Sequence, residues 1–182
     1  GDSFTHGTDL SDCPDGDIYS RKTWPALLAQ RAGIEYISKA HGGASNQGIL
    51  RQVVSTQFQS TDVAIINWTW IERFEYFDKS NPKHEFGWHQ IRPTDKSTIK
   101  EFYYKNIHSE LNDKLQSLQN IITAIHYLQT HNVTFYMTCL DPLIIDKIYN
   151  CPFAVEHLVD IVKPHIHWFN KQGFYNWSIE QK

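Results

Sequence analysis

Cysteine is scarce in this sequence, which has three, at Cys13, Cys139 and Cys151. An odd number of widely spaced cysteines fits neither a disulfide framework nor a CxxC metal site. We therefore expect reduced thiols and no bound metal, and the cysteine usage favours the cytoplasm. The chain begins at Gly1 without an initiator methionine, so an export signal would not be visible.

Long apolar runs and an excess of positive charge are also missing. No apolar run approaches the roughly 18 residues of a membrane span. Lys and Arg number 17 against 20 Asp and Glu, a formal net charge of −3. Phosphate-backbone binding needs a basic balance instead. These observations predict a soluble protein that binds neither membranes nor nucleic acid.

The chain has ample material for one hydrophobic core. It has 182 residues, of which 41% are hydrophobic and 14% aromatic, and single cores split only beyond roughly 250 residues. We expect one domain over residues 1–182. Because no strand precedes Gly1 and the polar end at Trp177–Lys182 carries no stop signal, we expect that domain to be truncated at both ends.

Apolar runs of strand length alternate with helical patterns, which is typical of an α/β fold with a mostly parallel sheet. The predicted strands are Glu35–Ser38, Asp62–Asn67, Val133–Cys139 and His165–Phe169. The predicted helices are Trp24–Ala32, Asn46–Gln59, Ile99–Thr130 and Pro142–Tyr149. Between them, residues 78–96 are polar and aperiodic and are interpreted as an insertion over the sheet edge, a type of loop that is often a lid.

Polar segments at strand ends are the candidates for chemistry. If Gly1-Asp2-Ser3 follows a strand, Ser3 lies where open α/β sheets hold their ligands. A serine there can act as a nucleophile when a base takes its proton and donors stabilise the oxyanion. Gly42 and Gly43 lie in a turn that opens a helix, and they are either an anion cradle or a tight turn with Ser45 as N-cap.

A third segment, Asn67-Trp68-Thr69-Trp70, ends the strand before it. Thr69 and Glu72 have capping-box spacing, so the Thr69 hydroxyl either starts a helix or points across the strand ends.

Taken with Phe4-Thr5 and Trp24–Leu28, these segments resemble the SGNH (GDSL) hydrolase superfamily, in order from Gly1 to Arg73. The resemblance implies a three-layer α/β/α flavodoxin-like fold. It also implies hydrolysis of an acyl or acetyl ester, of a small molecule or a glycan, through an acyl-enzyme without a cofactor. By this resemblance Ser3 is the nucleophile. The oxyanion hole is formed by Ser3, Gly42 or Gly43, and Thr69.

Further residues near these positions are candidates for lining the substrate: Asn46, Trp68, Trp70 and Arg73.

The sequence departs from the family pattern in two places. Thr69 stands where the family has an oxyanion-hole asparagine, and loss of one such donor costs about 3–4 kcal/mol. The DxxH block that supplies the base is absent from the sequence: Asp141, Asp146 and Asp160 all lack the histidine. We expect that block beyond Lys182, and we expect the 182-residue chain alone to be nearly inactive.

Two alternatives remain open. The chain is either an esterase or a catalytically inactive SGNH-fold module that binds a glycan or a protein. Aromatic residues near Thr69 suggest a sugar-stacking platform, which would favour the binding module. They are Trp68, Trp70, Phe74, Tyr76 and Phe77.

Among the histidines, His6 is a weak candidate for the base of Ser3. His165 and His167 are expected on one face of a strand, as a structural pair rather than a zinc site.

Overall fold

The computed structural model describes residues 1–13, 19–78, 88–146, 153–170 and 172–180, without the side chains of residues 153, 154 and 178. The helices are α1 (Ser3–His6), α2 (Trp24–Ala32), α3 (Asn46–Ser55), α4 (Thr98–Asn106), α5 (Glu110–Thr130), α6 (Phe153–Val162) and α7 (Phe174–Glu180). The strands are β1 (Val63–Trp68), β2 (Phe74–Phe77), β3 (Trp88–Ile91) and β4 (Thr134–Cys139). Short 3-10 turns cover Pro142–Ile144 and Lys163–His165.

The central sheet is parallel. Strands β1 and β4 pair in register from Val63 with Thr134 to Trp68 with Cys139. An isolated parallel bridge from Met137 to Ile166 extends the sheet on the other edge of β4. Strands β2 and β3 form a separate antiparallel pair. The fold is therefore α/β with a parallel sheet, in agreement with the sequence prediction.

The hydrophobic core lies on one face of this sheet. Because side chains alternate along a strand, Ile66 and Trp68 of β1 share that face with Met137 and Cys139 of β4, and all four are buried. Helices α3, α5 and α6 supply many of the other residues of the same core cluster. The opposite face is less covered, since Val63 and Tyr136 are half-exposed.

Several predicted elements match the structure. Helix α2 spans the predicted residues Trp24–Ala32, and β1 and β4 lie within one residue of their predicted bounds. The predicted strand at His165–Phe169 is reduced to the bridge at Ile166. Helix α3 begins at Asn46 as predicted but ends at Ser55.

The predicted helix Ile99–Thr130 is wrong as a single element. The chain breaks between α4 and α5, where Ser109 caps α5 by accepting a hydrogen bond from the Asn112 N–H. A side-chain oxygen at an N-cap satisfies one of the free N–H groups of the new helix. The same chemistry sets the start of α4 at Thr98, one residue before the predicted start, with Ser97 as its N-cap.

The predicted strand Glu35–Ser38 is not formed, and the segment is largely exposed irregular chain. Its backbone contacts side chains instead of a strand: the Tyr36 carbonyl accepts hydrogen bonds from Tyr19 and Arg21. A strand needs a neighbouring strand for its backbone groups, and the described strands pair elsewhere.

The predicted helix start at Thr69 is also wrong, because residues 69–73 form a turn that leads into β2.

Two further predictions fall partly outside the described residues. The insertion at residues 78–96 contains β3, but residues 79–87 are not described. Of the predicted helix Pro142–Tyr149, Pro142–Ile144 is a 3-10 turn, and residues 147–150 lie outside the description.

His165 and His167 do not share a face. The His165 ring lies 5.9 Å from that of Phe135, and the His167 ring lies 5.6 Å from that of Tyr136. Phe135 and Tyr136 are consecutive on β4 and point to opposite faces of the sheet. The two histidines therefore do not form a pair.

No helix in the described ranges is both long and apolar enough to cross a lipid bilayer.

Replacing Leu118 tests the role of α5 in the core. Leu118 is fully buried, so Leu118→Ala is expected to lower the free energy of unfolding by about 2–5 kcal/mol through lost burial and a cavity. Leu111→Ala, on the same helix but 36% exposed, is the matched control and should cost much less. Urea denaturation measures both, and equal losses would contradict this account of the core.

Candidate functional site

The carboxyl ends of β1 and β4 are tied together by Asp141. This buried carboxylate follows β4 and accepts a hydrogen bond from the Ile71 N–H at 3.2 Å through Oδ2. Its Oδ1 accepts from the Leu143 N–H at 2.9 Å. Burial raises the pKa of Asp141 above its ordinary value, although these two N–H groups favour the charged form. The turn after β1 is thus held over the end of the sheet, where open α/β folds place ligands.

Asn46 fixes the same turn to the start of α3. Its Oδ1 accepts from the Thr69 N–H at 2.9 Å, while its Nδ2 donates to the Thr69 carbonyl at 3.2 Å and to Ser117 Oγ at 3.0 Å. Asn46 is buried. Its amide therefore acts as a clamp between α3, α5 and the end of β1.

Asp2 brings the first residues of the chain to this turn. The Asp2 side chain is fully buried and accepts hydrogen bonds from the Phe4 N–H at 3.2 Å, Thr69 Oγ1 at 3.5 Å and Arg73 Nη1 at 3.4 Å. Burial raises the pKa of Asp2, and the charge of Arg73 opposes that rise.

Arg73 connects Asp2 to the turn that contains Gly42 and Gly43, which we call the double-glycine turn. Its Nη1 also donates to the Ala44 carbonyl at 3.1 Å, and the His41 N–H donates to the Gly1 carbonyl at 3.2 Å. The segments at residues 1–3, 41–44 and 69–73 therefore meet at one end of the sheet.

Ser3 is half-buried at the start of α1. Its hydroxyl has no hydrogen-bond partner among the described residues, and neither does its N–H. Within the same ranges, the N–H groups of Gly42 and Gly43 also donate to nothing. One hydroxyl and three N–H donors are thus uncommitted on segments that the Asp2 and Arg73 contacts hold together.

The two glycines differ in conformation and in exposure. Gly43 has a φ of 77°, a left-handed conformation that favours glycine. A Cβ on Gly43 would lie 2.9 Å from the side-chain amide of Gln90. Gln90 packs on the turn from β3, and its amide nitrogen, oriented to donate, lies 3.1 Å from the carbonyl oxygens of both Gly42 and Gly43. Their carbonyls face β3, and Gly42 is exposed beside Thr8.

Thr69 does not have the predicted geometry of an oxyanion donor. The side chain is fully buried, and its hydroxyl donates to Asp2. A hydroxyl has one proton to donate, so this contact leaves none for a substrate. Thr69 is better described as a residue that positions Asp2.

Two of the predicted substrate-lining residues are also structural. Trp68 is fully buried in the core cluster, and both ends of the Asn46 amide are committed inside the protein. Trp70 remains half-buried, and Arg73 lies under it with the guanidinium carbon 4.7 Å from the ring centroid. Of the four residues, Trp70 and Arg73 keep some exposed surface, although the polar Nη1 of Arg73 is committed to Asp2 and Ala44.

The predicted sugar platform of five aromatic residues is not formed. Trp68 lies in the core, and Phe74 stacks on Tyr103 with ring centroids 4.3 Å apart. Tyr76 stacks on His89.

A different aromatic group lies beside Ser3. It consists of Phe4, Trp70 and Tyr175, the last brought in by α7. Sequence reasoning missed Tyr175, because nothing local marks a residue about 170 positions away as a neighbour of Phe4.

His6 is the histidine nearest to Ser3 in sequence. It is buried, and its Nδ1 lies 3.3 Å from Thr8 Oγ1 and 4.0 Å from Cys13 Sγ. Burial, with His41 nearby, lowers the pKa of His6. No carboxylate of the described residues contacts this ring, so it lacks the acidic residue that orients a catalytic histidine.

Behind the turn lies a second polar cluster. Asp113 on α5 accepts a hydrogen bond from the Tyr103 hydroxyl at 3.3 Å, and its Oδ2 lies 2.8 Å from His108 Nδ1. Burial raises the pKa of Glu72, and the charges of Asp141 and Asp113 raise it further. Within the described ranges, no group of three or more His, Cys, Asp and Glu side chains is arranged to hold a metal ion.

Comparison with known proteins identifies no relative. No protein-family model, no curated protein and no solved structure matches this chain.

Replacing Asn46 tests the clamp. Asn46→Ala removes the hydrogen bonds to both backbone groups of Thr69 and leaves those groups buried without partners, so we expect a loss of about 2–4 kcal/mol in the free energy of unfolding. Asn112→Ala, at an exposed asparagine on α5, is the control. Thermal or urea denaturation compares the two variants. If Asn46→Ala loses no more free energy of unfolding than the control, the Asn46 hydrogen bonds contribute nothing to stability.

Glu72 should make stability depend on pH. Its pKa is raised above the ordinary 4.5, so the folded state keeps a proton that the unfolded state has lost, and stability falls as pH rises through and above that value. Glu72→Gln removes this loss of stability. The free energy of unfolding of the variant, relative to wild type, should therefore be higher at about pH 8 than at about pH 4. Urea midpoints at both pH values measure it. The exposed Glu101→Gln should show no such trend, and an equal trend in both would refute the assignment.

Proposed function

We propose that this protein is a serine ester hydrolase of the SGNH type, with Ser3 as nucleophile. The observation that carries the proposal is the unpaired Ser3 hydroxyl together with the unpaired N–H groups of Ser3, Gly42 and Gly43. The buried Asp2 and Arg73 hold these segments at one end of the parallel sheet. Hydrolysis of an acyl or acetyl ester needs this combination of a nucleophile and donors for the oxyanion.

The three-layer flavodoxin-like arrangement is part of the same proposal. One of its helical layers is supported by the burial of the Ile66 face of the sheet under α3, α5 and α6. The second layer would lie on the face that carries Val63 and Tyr136.

In the proposed reaction the Ser3 hydroxyl attacks the ester carbonyl. The carbonyl oxygen becomes an oxyanion that accepts hydrogen bonds from the Ser3 N–H and from Gly42 or Gly43. The Ser3 proton passes to a base and then to the leaving alcohol, which leaves an acyl group on Ser3. Water, activated by the same base, attacks this acyl-enzyme and releases the acid.

The base is the part of the site that the described residues do not supply. His6 directs Nδ1 to Thr8 and Cys13 and has no carboxylate partner in the contacts around it. The proposal therefore needs a base from outside the described residues, and the family resemblance gives that role to the histidine of a DxxH block.

Thr69 contributes indirectly. By donating to Asp2 it holds the residue before the nucleophile, so the oxyanion relies on backbone donors alone. An oxyanion hole that lacks its side-chain donor stabilises the transition state less, by about 3–4 kcal/mol.

Ser3→Ala in the natural full-length protein is the direct test. Hydrolysis of p-nitrophenyl acetate should fall by at least about 10³-fold, because the acyl-enzyme can no longer form. Ser55→Ala, at an exposed serine on α3, should keep the wild-type rate. Equal rates for Ser3→Ala and wild type, or no hydrolysis by the wild-type protein, would reject the hydrolase and leave the inactive binding module as the better description.

A further inference from the structure

Three aromatic side chains form a connected group that includes Phe4, the residue after Ser3. The ring centroids of Phe4 and Trp70 are 6.3 Å apart, those of Phe4 and Tyr175 are 5.7 Å apart, and those of Trp70 and Tyr175 are 5.6 Å apart. Phe4 is 44% exposed, and Trp70 and Tyr175 are half-buried. We call these residues the aromatic triad. Because Phe4 directly follows Ser3, the triad begins one residue from the candidate nucleophile.

The triad is not flat. The planes of Phe4 and Tyr175 are inclined by 72°, those of Trp70 and Tyr175 by 69°, and those of Phe4 and Trp70 by 49°. A sugar ring stacks on a flat aromatic face, and rings inclined this steeply do not combine into one. The three rings therefore present an uneven surface, formed mostly by aromatic carbon, instead of one flat face.

The triad also offers no uncommitted charge to a ligand among the described residues. The cation in contact with it is Arg73, whose guanidinium lies 4.7 Å from the Trp70 ring. That side chain is only 12% exposed, and its Nη1 donates to Asp2 and to the Ala44 carbonyl. A phosphate or carboxylate would find no free partner in this group, so the surface favours an uncharged, apolar ligand.

We propose that the aromatic triad binds the aliphatic chain of the ester substrate. The proposal rests on the proposed function for its biological meaning, and it names the substrate class as esters that carry a linear aliphatic chain rather than a sugar. Burial of each methylene against the rings should tighten binding by about threefold to fourfold. A chain of several carbons is therefore distinguished from an acetyl or methyl group by this surface.

Binding of 1-hexanol tests the triad without any need for hydrolysis. Titration is followed by NMR through the indole N–H signals of the six tryptophans, with the Trp70 signal assigned from Trp70→Phe. We expect 1-hexanol to shift the Trp70 signal with higher affinity than ethanol does, and methyl β-glucoside to leave it in place. A shift with the glucoside but not with hexanol would overturn the proposal in favour of a sugar site, and no shift with either would also overturn it.

Variants at Phe4 sharpen the test. Phe4→Ala should weaken hexanol binding by at least about threefold, and Phe4→Leu, which keeps an apolar side chain, should weaken it less. Phe102→Ala, at a 59% exposed phenylalanine on α4, should match the wild type. Unchanged affinity in a folded Phe4→Ala would reject the triad as the binding surface. Because this readout is binding alone, its failure is separable from loss of esterase activity in the Ser3→Ala experiment.

Discussion

The buried carboxylate of Asp2 is the interaction on which the candidate site depends. It contacts Thr69 and Arg73, and Arg73 continues to the Ala44 carbonyl. A buried charge is tolerated only when it is paired and hydrogen-bonded, and removal of one partner from such a pair costs about 3–5 kcal/mol. The segments that carry Ser3, the double glycine and Trp70 are therefore held together by the need to compensate one carboxylate.

Around this contact, other polar side chains hold backbone rather than ligand. Asn46 binds both backbone groups of Thr69, Asp141 binds the Ile71 N–H, and Glu75 accepts from the Ser45 N–H at 3.4 Å while pairing with Arg51 at 2.5 Å. Each of these satisfies a buried donor or acceptor that would otherwise be costly. These contacts fix the turn, and the N–H groups of Ser3, Gly42 and Gly43 beside it have no partner among the described residues.

The candidate site has two chemically different sides. On one side are the backbone donors of the double-glycine turn, shaped by the left-handed Gly43 and by Gln90 of β3. On the other side is the aromatic triad, to which α7 contributes Tyr175. An ester has the same division between a polar carbonyl and apolar substituents, which is why one site can combine polar donors with an apolar surface.

The sequence by itself determined α2, β1 and β4, because a run of apolar residues or a helical period is a local property. It also indicated that Ser3, Gly42, Gly43 and Thr69 share one end of a sheet. Only the tertiary structure decided which partner each polar group takes. The Thr69 hydroxyl donates to Asp2, which lies 67 positions away in the chain, Trp68 belongs to the core, and Tyr175 reaches Phe4. These outcomes depend on burial and on contacts between distant segments, and no local pattern encodes them.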